Sequence, residues 1–360
     1  MISKKKIGIF SPYLDTLGGG ERYILTIAEC LQRDYEVEVF WHDNKIIKKA
    51  EKRFNLSLSE LKINSEFYDI LCSKLNLFKK YLITHKYQSF FFLSDGSIPI
   101  LFSKNNFIHF QVPLIGVKGK STTNKLKLKL IKRVICNSQF TKKFIDKEFG
   151  IKSIVVYPPV SVEDFNPGEK ENIIISVGRF DNLSQNKKQD FLIETFKKMV
   201  DSGFKDWRLI LAGGVTGKEG KDFYNHLKKE AKGYQINLIK DIEFKYLKLY
   251  YEKAKIYWHA AGFGEDSERH PERVEHFGIS TVEAMAAGCV PIVVSSGGQK
   301  EIIRDDQDGF LWATQRDLID LTLHLSRDEN LREETSKNAI KSSRRFSKAV
   351  FCRKINELVK

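Results

Sequence analysis

The feature that most constrains this 360-residue sequence is a repeated alternation of short apolar runs with segments of helical period. In the first half IGIF, VEVFW, SFFFL, FIHFQV and VICNS read as strands, and ERYILTIAECLQRD carries its apolar residues at helical spacing. Such alternation predicts a parallel sheet with helices on both faces. The scheme then restarts: IIISVG at 173–178, WRLILAG, INLI, IYWHA and VPIVVS are strand-like, while DFLIETFKKMV and STVEAMAAG are helical. Between the halves, YPPVSVEDFNPGEKEN at 157–172 holds three prolines, one glycine and four acids and reads as a linker. The expected class is α/β, with a first doubly wound domain over 1–165 and a second over 166–340. A polar, basic helical tail at 341–360 would cross back onto the first. Two such domains imply a cleft.

Composition narrows the partners. An apolar fraction of 42% with only 23 Gly and 8 Pro excludes a disordered or fibrous chain. The N-terminal MISKKKIGIF has too short an apolar stretch for a signal peptide, and the most apolar window, Ser89 to Ser103, is broken by Asp95, Gly96 and Pro99. A cytosolic chain is expected. Cys30, Cys72, Cys136, Cys289 and Cys352 are odd in number and scattered, which suggests buried thiols. Of the net charge of +14, about +10 falls between Lys104 and Lys152, where twelve Lys or Arg face only Asp146 and Glu148. Its centre, KGKSTTNKLKLKLIKR at 118–133, fits nucleic acid, an anionic membrane or a solvated basic face. Leu114, Ile115, Leu126, Leu128, Leu130 and Ile131 beside the charges favour the membrane at its cytoplasmic side, and no nucleic-acid module signature accompanies them.

Chemistry concentrates in EHFGISTVEAMAAG, Glu275 to Gly288. Phe277 and Gly278 suit a turn, Ser280 or Thr281 suits a cap, and Glu283 falls in the expected first turn of a helix whose N-terminal amides attract an anion. Glu283 there can accept from a ribose diol, the amides from Gly278 through Ile279 and Ser280 to Thr281 can meet phosphate or sugar oxygens, and Glu275 can bind hydroxyls of a transferred sugar. Alternatively Glu283 complements the helix dipole and Glu275 is a solvated loop charge. Arg179 directly follows the strand IIISVG, at the sheet edge where ligands of doubly wound folds bind, and Lys187, with Lys188 as competitor, precedes the helix FLIETF. In GGGER at 18–22, Gly19 and Gly20 permit close backbone approach, but Tyr23 breaks the dinucleotide fingerprint. His109, in FIHFQVP, is read as following a strand and so could face the cleft, and Asp15 and Glu21 are further polar candidates, for the acceptor side or equally as surface charges. The segment 262–278 adds Glu265, Asp266, Glu268, Glu272, His270 and His276, at spacings unlike a metal site.

The pattern of a Glu, seven residues, then a Glu within EHFGISTVEAMAAGCVPIV resembles the signature of the family-4 retaining glycosyltransferases (glycosyl transferases group 1). SVGRFDN…NKKQDFLIETF at 176–196, ILAGG at 210–214 and GGQKEII at 297–303 are similar to further segments of that family, in its order. The resemblance implies the GT-B architecture: two facing doubly wound Rossmann-like domains with a cleft between them. It implies a metal-independent hexosyltransferase without cofactor, taking GDP-mannose or a UDP-sugar as donor and a glycan or lipid-linked acceptor. HFG leans towards GDP-mannose. By the same resemblance Arg179 and Lys187 would stabilise the diphosphate, Glu275 and His109 would orient the donor sugar, and Glu283 would hold the ribose. Two other classes remain compatible: a nucleotide-sugar epimerase or phosphorylase of the same architecture, and a non-catalytic basic protein docking on membrane or nucleic acid.

Overall fold

The computed structural model describes residues 4–73, 76–181 and 185–360. Parts of the N-terminal MISKKKIGIF and of the 176–196 segment lie outside the described residues. Contacts divide the chain into a first unit, Met1–Pro159 with Ala349–Lys360, and a second unit, Val160–Lys348.

The first unit is built on seven parallel strands: β1 (Lys6–Phe10), β2 (Glu36–Phe40), β3 (Lys62–Asn64), β4 (Ser89–Ser94), β5 (Asn105–Phe110), β6 (Arg133–Cys136) and β7 (Ile154–Val155), in the order β3-β2-β1-β4-β5-β6-β7. β4 and β5 are buried along their whole length, which is why Phe90–Leu93 of β4 reads as a continuous apolar run rather than as alternation, while β5 buries Asn105, Asn106 and His109 beside its apolar residues. The short, partly exposed β3 and β7 carry no such signal.

The second unit has six: β8 (Glu171–Val177), β9 (Arg208–Gly213), β10 (Ile236–Lys240), β11 (Ala254–His259), β12 (Val290–Val294) and β13 (Phe310–Trp312), in the order β10-β9-β8-β11-β12-β13, again all parallel. In both sheets the order reverses once, between β1 and β4 and between β8 and β11. Loops leaving the C-terminal ends of strands at such a reversal diverge and leave room for a ligand.

The terminal helix Lys348–Val359 buries Phe351, Ile355 and Val359 in the core of the first unit. The same helix carries Cys352, which is disulfide-bonded to Cys30 of the helix Gly19–Leu31, across a sequence separation of 322. This corrects the expectation of five thiols: scattered spacing says nothing about pairing when the chain ends by returning to where it began. Cys72, Cys136 and Cys289 are free.

Closing so long a loop removes entropy from the unfolded chain, on the order of 2–4 kcal/mol. Thiol titration of the protein denatured without reductant should therefore count the three free cysteines, and five after reduction. Cys352→Ser should lower the unfolding midpoint to that of the reduced wild type; an unchanged midpoint would remove the bridge from the stability of this unit.

Candidate functional site

The polar groups of the second unit gather where its strand order reverses. β8 ends in Val177, Gly178 follows, and Arg179 comes next; β11, its neighbour, ends in His259. The turn after β8 packs backbone to backbone against the turn after β9: Gly178 N donates to Ala212 O at 2.9 Å and Phe180 N to Gly214 O at 2.9 Å. A Cβ on Gly213 would lie 1.9 Å from Gly178 O, so only glycine lets the two turns meet. Arg179 is held by its surroundings while its head group stays 56% exposed. Its Nε is 3.4 Å from the buried Asp181 carboxylate. Its carbonyl accepts from the buried Gln189 Nε2 at 2.9 Å.

Gln189 opens the helix Gln189–Asp201, and Lys188 before it takes left-handed backbone angles, φ 54°. That bend sends the two neighbouring lysines to different carboxylates. Lys187 Nζ lies 2.7 Å from Glu275 Oε2, whereas Lys188 Nζ lies 2.8 Å from Glu265 Oε1. His259 Nε2 is 3.2 Å from the same Glu275 oxygen. Glu275 is also pinned by its main chain, since Gly298 N donates to its carbonyl at 2.8 Å. The glycine-rich turn of GGQKEII therefore backs directly onto Glu275. Burial alone would raise the Glu275 carboxyl; the Lys187 ammonium and His259 overcome it and hold the group well below the usual carboxylate range. Burial lowers the His259 pKa, against the pull of Glu275. Behind the pair, Gln185 Nε2 sits 2.9 Å from His276 Nδ1, and burial lowers the His276 pKa to about 4.

The helix Ile279–Ala286 starts differently from the expected capping. Gly278 is its N-cap, in a left-handed conformation (φ 117°), and no side chain caps it; Ser280 instead pairs with Tyr257 Oη at 2.8 Å. A side chain at 278 would also strike Gln299, 2.5 Å from the Cβ position. Glu283 is the fifth helical residue, not a member of the first turn, and is 6% exposed, accepting from Tyr251 Oη at 3.4 Å. Thr281 N bonds to Gly278 O at 3.1 Å, so its amide is not among those offered to a ligand. The displacement follows from Gly278 taking the cap, which puts Ile279 at the first helical position.

A second gathering lies in the first unit. His109 is inside β5, one residue before its end and paired between Leu93 and Ile135, rather than beyond the strand as expected. It is 1% exposed, its ring stacked on Tyr23 at 3.7 Å, and its Nε2 is 2.7 Å from Gln111 Oε1. Burial lowers its pKa to about 4. Gln111 in turn lies against the start of the helix Gly19–Leu31, with Nε2 3.5 Å from the Cβ position of Gly19 and Cγ 3.7 Å from that of Gly20. The carboxylate of Glu21 folds back on this start, accepting from Gly18 N at 2.9 Å and from Thr16 Oγ1 at 2.7 Å. Glu21 is thus a buried helix cap and not a surface charge, while Asp15 is exposed. Among the described residues no group of three or more His, Cys, Asp or Glu is placed to hold a metal ion.

His259, Asp181, Gln189 and Gln111 are site residues that the sequence alone does not single out. His259 carries the same signal as His109, a histidine at the end of an apolar run, and the position of its strand beside β8 is what gives that signal meaning.

Comparison with known proteins adds three findings. The family model described as Glycosyl transferases group 1 matches residues 122–342. The chain is 25% identical to the GDP-Man:Man(3)GlcNAc(2)-PP-Dol alpha-1,2-mannosyltransferase of Dictyostelium discoideum, over 100% of this chain and 85% of that protein. Its human counterpart of the same name is 30% identical over 61% of this chain, which spans only 46% of the human protein. The crystal structure of a glycosyltransferase from Rickettsia africae superposes with a TM-score of 0.73 at 17% identity, covering 99% of this chain and 98% of that one. At such identity the likeness carries the fold, and the seven- and six-stranded parallel sheets are those of the GT-B architecture.

The packing of the turns after β8 and β9 predicts that Gly213→Ala will cost about 1–3 kcal/mol in thermal or denaturant unfolding. Gly214→Ala should be tolerated, because its Cβ would meet only Asp241 Oδ1 at 4.0 Å; equal costs would refute the contact argument. A second expectation concerns pH. His109 and His276 have folded pKa values of about 4, below the roughly 6.5 of an unfolded chain. The unfolded state therefore binds protons first as pH falls. Their stabilisation is full above about pH 6.5 and is lost towards pH 4, so melting temperature should drop between pH 7 and 5. His276→Gln should flatten that dependence; a melting temperature flat over this range in the wild type would contradict it.

Proposed function

The chain belongs to the family of glycosyl transferases group 1, and from that premise we propose that it moves a mannosyl residue from GDP-mannose to a lipid-linked glycan, with retained configuration and without a metal. The donor and acceptor follow the activity for which the Dictyostelium and human relatives are named. The observation that carries the reading is the Lys187–Glu275 ion pair, shared with His259, beside the start of the helix Ile279–Ala286. It sets a cation, a sugar-binding carboxylate and helix amides side by side at the strand-order reversal.

In this reading Arg179 and Lys187 offset charge developing on the leaving diphosphate. Glu275, kept ionised, accepts from hydroxyls of the donor sugar. Glu283 holds the ribose, and the amides of Ile279 and Ser280 meet phosphate oxygens. The bond from the anomeric carbon to the donor phosphate breaks as one to the acceptor oxygen forms on the same face, and the acceptor proton passes to a donor phosphate oxygen. Gly19, Gly20 and His109, the last acting through Gln111, serve the first unit's side of the reaction. The basic segment 118–133 rests on the anionic cytoplasmic face of the membrane in which a lipid-linked acceptor is embedded.

A thermal-shift panel tests the donor. GDP-mannose at a hundred times its dissociation constant should stabilise the protein by about 2.7 kcal/mol, and UDP-sugars should not. A shift with UDP-sugars alone would move the donor assignment, and none with any sugar nucleotide would sink the proposal. Glu283→Ala should weaken donor binding, and Arg179→Ala should slow transfer more than binding. Conversion of the sugar nucleotide with no acceptor present would favour an epimerase.

A further inference from the structure

Nine of the twelve large apolar side chains that stand exposed among the described residues lie between residues 77 and 130, all in the first unit. The most unusual of them sit on the helix Leu77–Thr84. Leu77, Phe78, Tyr81 and Leu82 occupy one side of it, since positions i, i+1, i+4 and i+5 share a face, and they are 50%, 72%, 47% and 48% exposed. The side turned inward carries Ile83 and Thr84 but also Lys80, 6% exposed, with Nζ donating to the carbonyls of Leu71 and Ser73. A buried ammonium with four large apolar side chains facing outward departs from an ordinary surface helix, in which the apolar face is buried and the ammonium is solvated. Lysine seldom goes inside while a phenylalanine on the same helix faces out, unless the outer face meets something less polar than water.

The surroundings identify that medium. Tyr81 makes an edge contact with Phe102 at 5.5 Å, Phe102 N donates to Thr84 Oγ1 at 2.9 Å, and Asn106 Nδ2 donates to Leu101 O at 3.1 Å and to Leu130 O at 2.8 Å, which ties the end of this helix to the segment that follows the helix Thr122–Leu128. That neighbour and the loop before it add exposed Ile115 and Leu126 among Lys118, Lys120, Lys125 and Lys129, and no acid occurs between Lys104 and Asp146. Lysine is depleted where proteins bury surface against one another, whereas apolar and aromatic side chains ringed by lysines suit the headgroup boundary of an anionic bilayer. Among the described residues no helix is long and apolar enough to cross a membrane, so what the face offers is shallow entry.

We propose that the outward face of the helix Leu77–Thr84 is a membrane-insertion edge, with Phe78 as its deepest side chain, seated in an anionic lipid surface by the flanking lysines. The inference extends the proposed membrane contact of 118–133 but rests on a different helix and on apolar burial rather than charge.

Vesicle binding separates the two. Wild-type protein should co-sediment with phosphatidylcholine vesicles containing phosphatidylglycerol, and Phe78→Ser with Leu82→Ser should weaken this about tenfold. The double variant should keep its melting temperature and its thermal shift with GDP-mannose, so that loss of vesicle binding is not mistaken for failure of the donor reading. Indole emission from the Phe78→Trp variant should shift to the blue as vesicles are added. If Lys125→Gln with Lys129→Gln abolishes binding while the double serine variant binds like wild type, the insertion edge is refuted and the basic-segment reading survives. Unshifted emission from vesicle-bound Phe78→Trp protein would also overturn it, as would self-association that the serine variant disrupts without any vesicle binding.

Discussion

A carboxylate taken out of water needs a cation, and in the second unit Glu275 obtains it from Lys187, 88 residues earlier in the chain. Removing one partner of such an enclosed pair costs about 3–5 kcal/mol, because the other charge is left behind. The surrounding structure serves to keep the two together. Lys188 adopts left-handed angles so that its predecessor points to Glu275, and Gln189 ties the same turn to the carbonyl of Arg179. The Gly297–Gly298 turn hydrogen-bonds the Glu275 main chain, and a Cβ on Gly297 would stand 2.2 Å from its carbonyl oxygen. Segments from three separate stretches of sequence thus meet at one carboxylate, and His259 shares it.

The alternation of apolar runs with helical periods makes both sheets legible, because the buried stretches Phe90–Leu93 of β4, Ile173–Ile175 of β8 and Val290–Val294 of β12 carry almost only apolar side chains. It does not reveal the short edge strand β3, where half-exposed residues carry no pattern, or the bond between Cys30 and Cys352, which depends on where the last helix docks. The candidate site is readable as a set of residue types and opaque as a geometry. Spacing picks out Arg179, Lys187 and Glu275, and the structure brings Lys187 and Glu275 into contact while leaving the Arg179 head group exposed. His109 and His259 carry identical local signals. Position on the strand and strand order separate them: His109, one residue short of the end of β5, is stacked inside the first unit, while His259, the last residue of β11, reaches a charged partner at the reversal of the second.

The two glycine-started helices differ in how their positive ends are neutralised. At the helix Gly19–Leu31 the protein supplies its own anion, Glu21, which accepts from Gly18 N and Thr16 Oγ1. A phosphate arriving there would have to displace a carboxylate already in place, so what Gly19 and Gly20 contribute is close backbone approach rather than attraction. At the helix Ile279–Ala286 the first turn has no acid, the cap is a bare Gly278, and Glu283 sits a turn further in. The positive end of that dipole is left for something else, and Lys187 and Arg179 lie on neighbouring turns of the same unit. In the proposed reading an anionic donor therefore sits with the second unit, whose free helix dipole favours it.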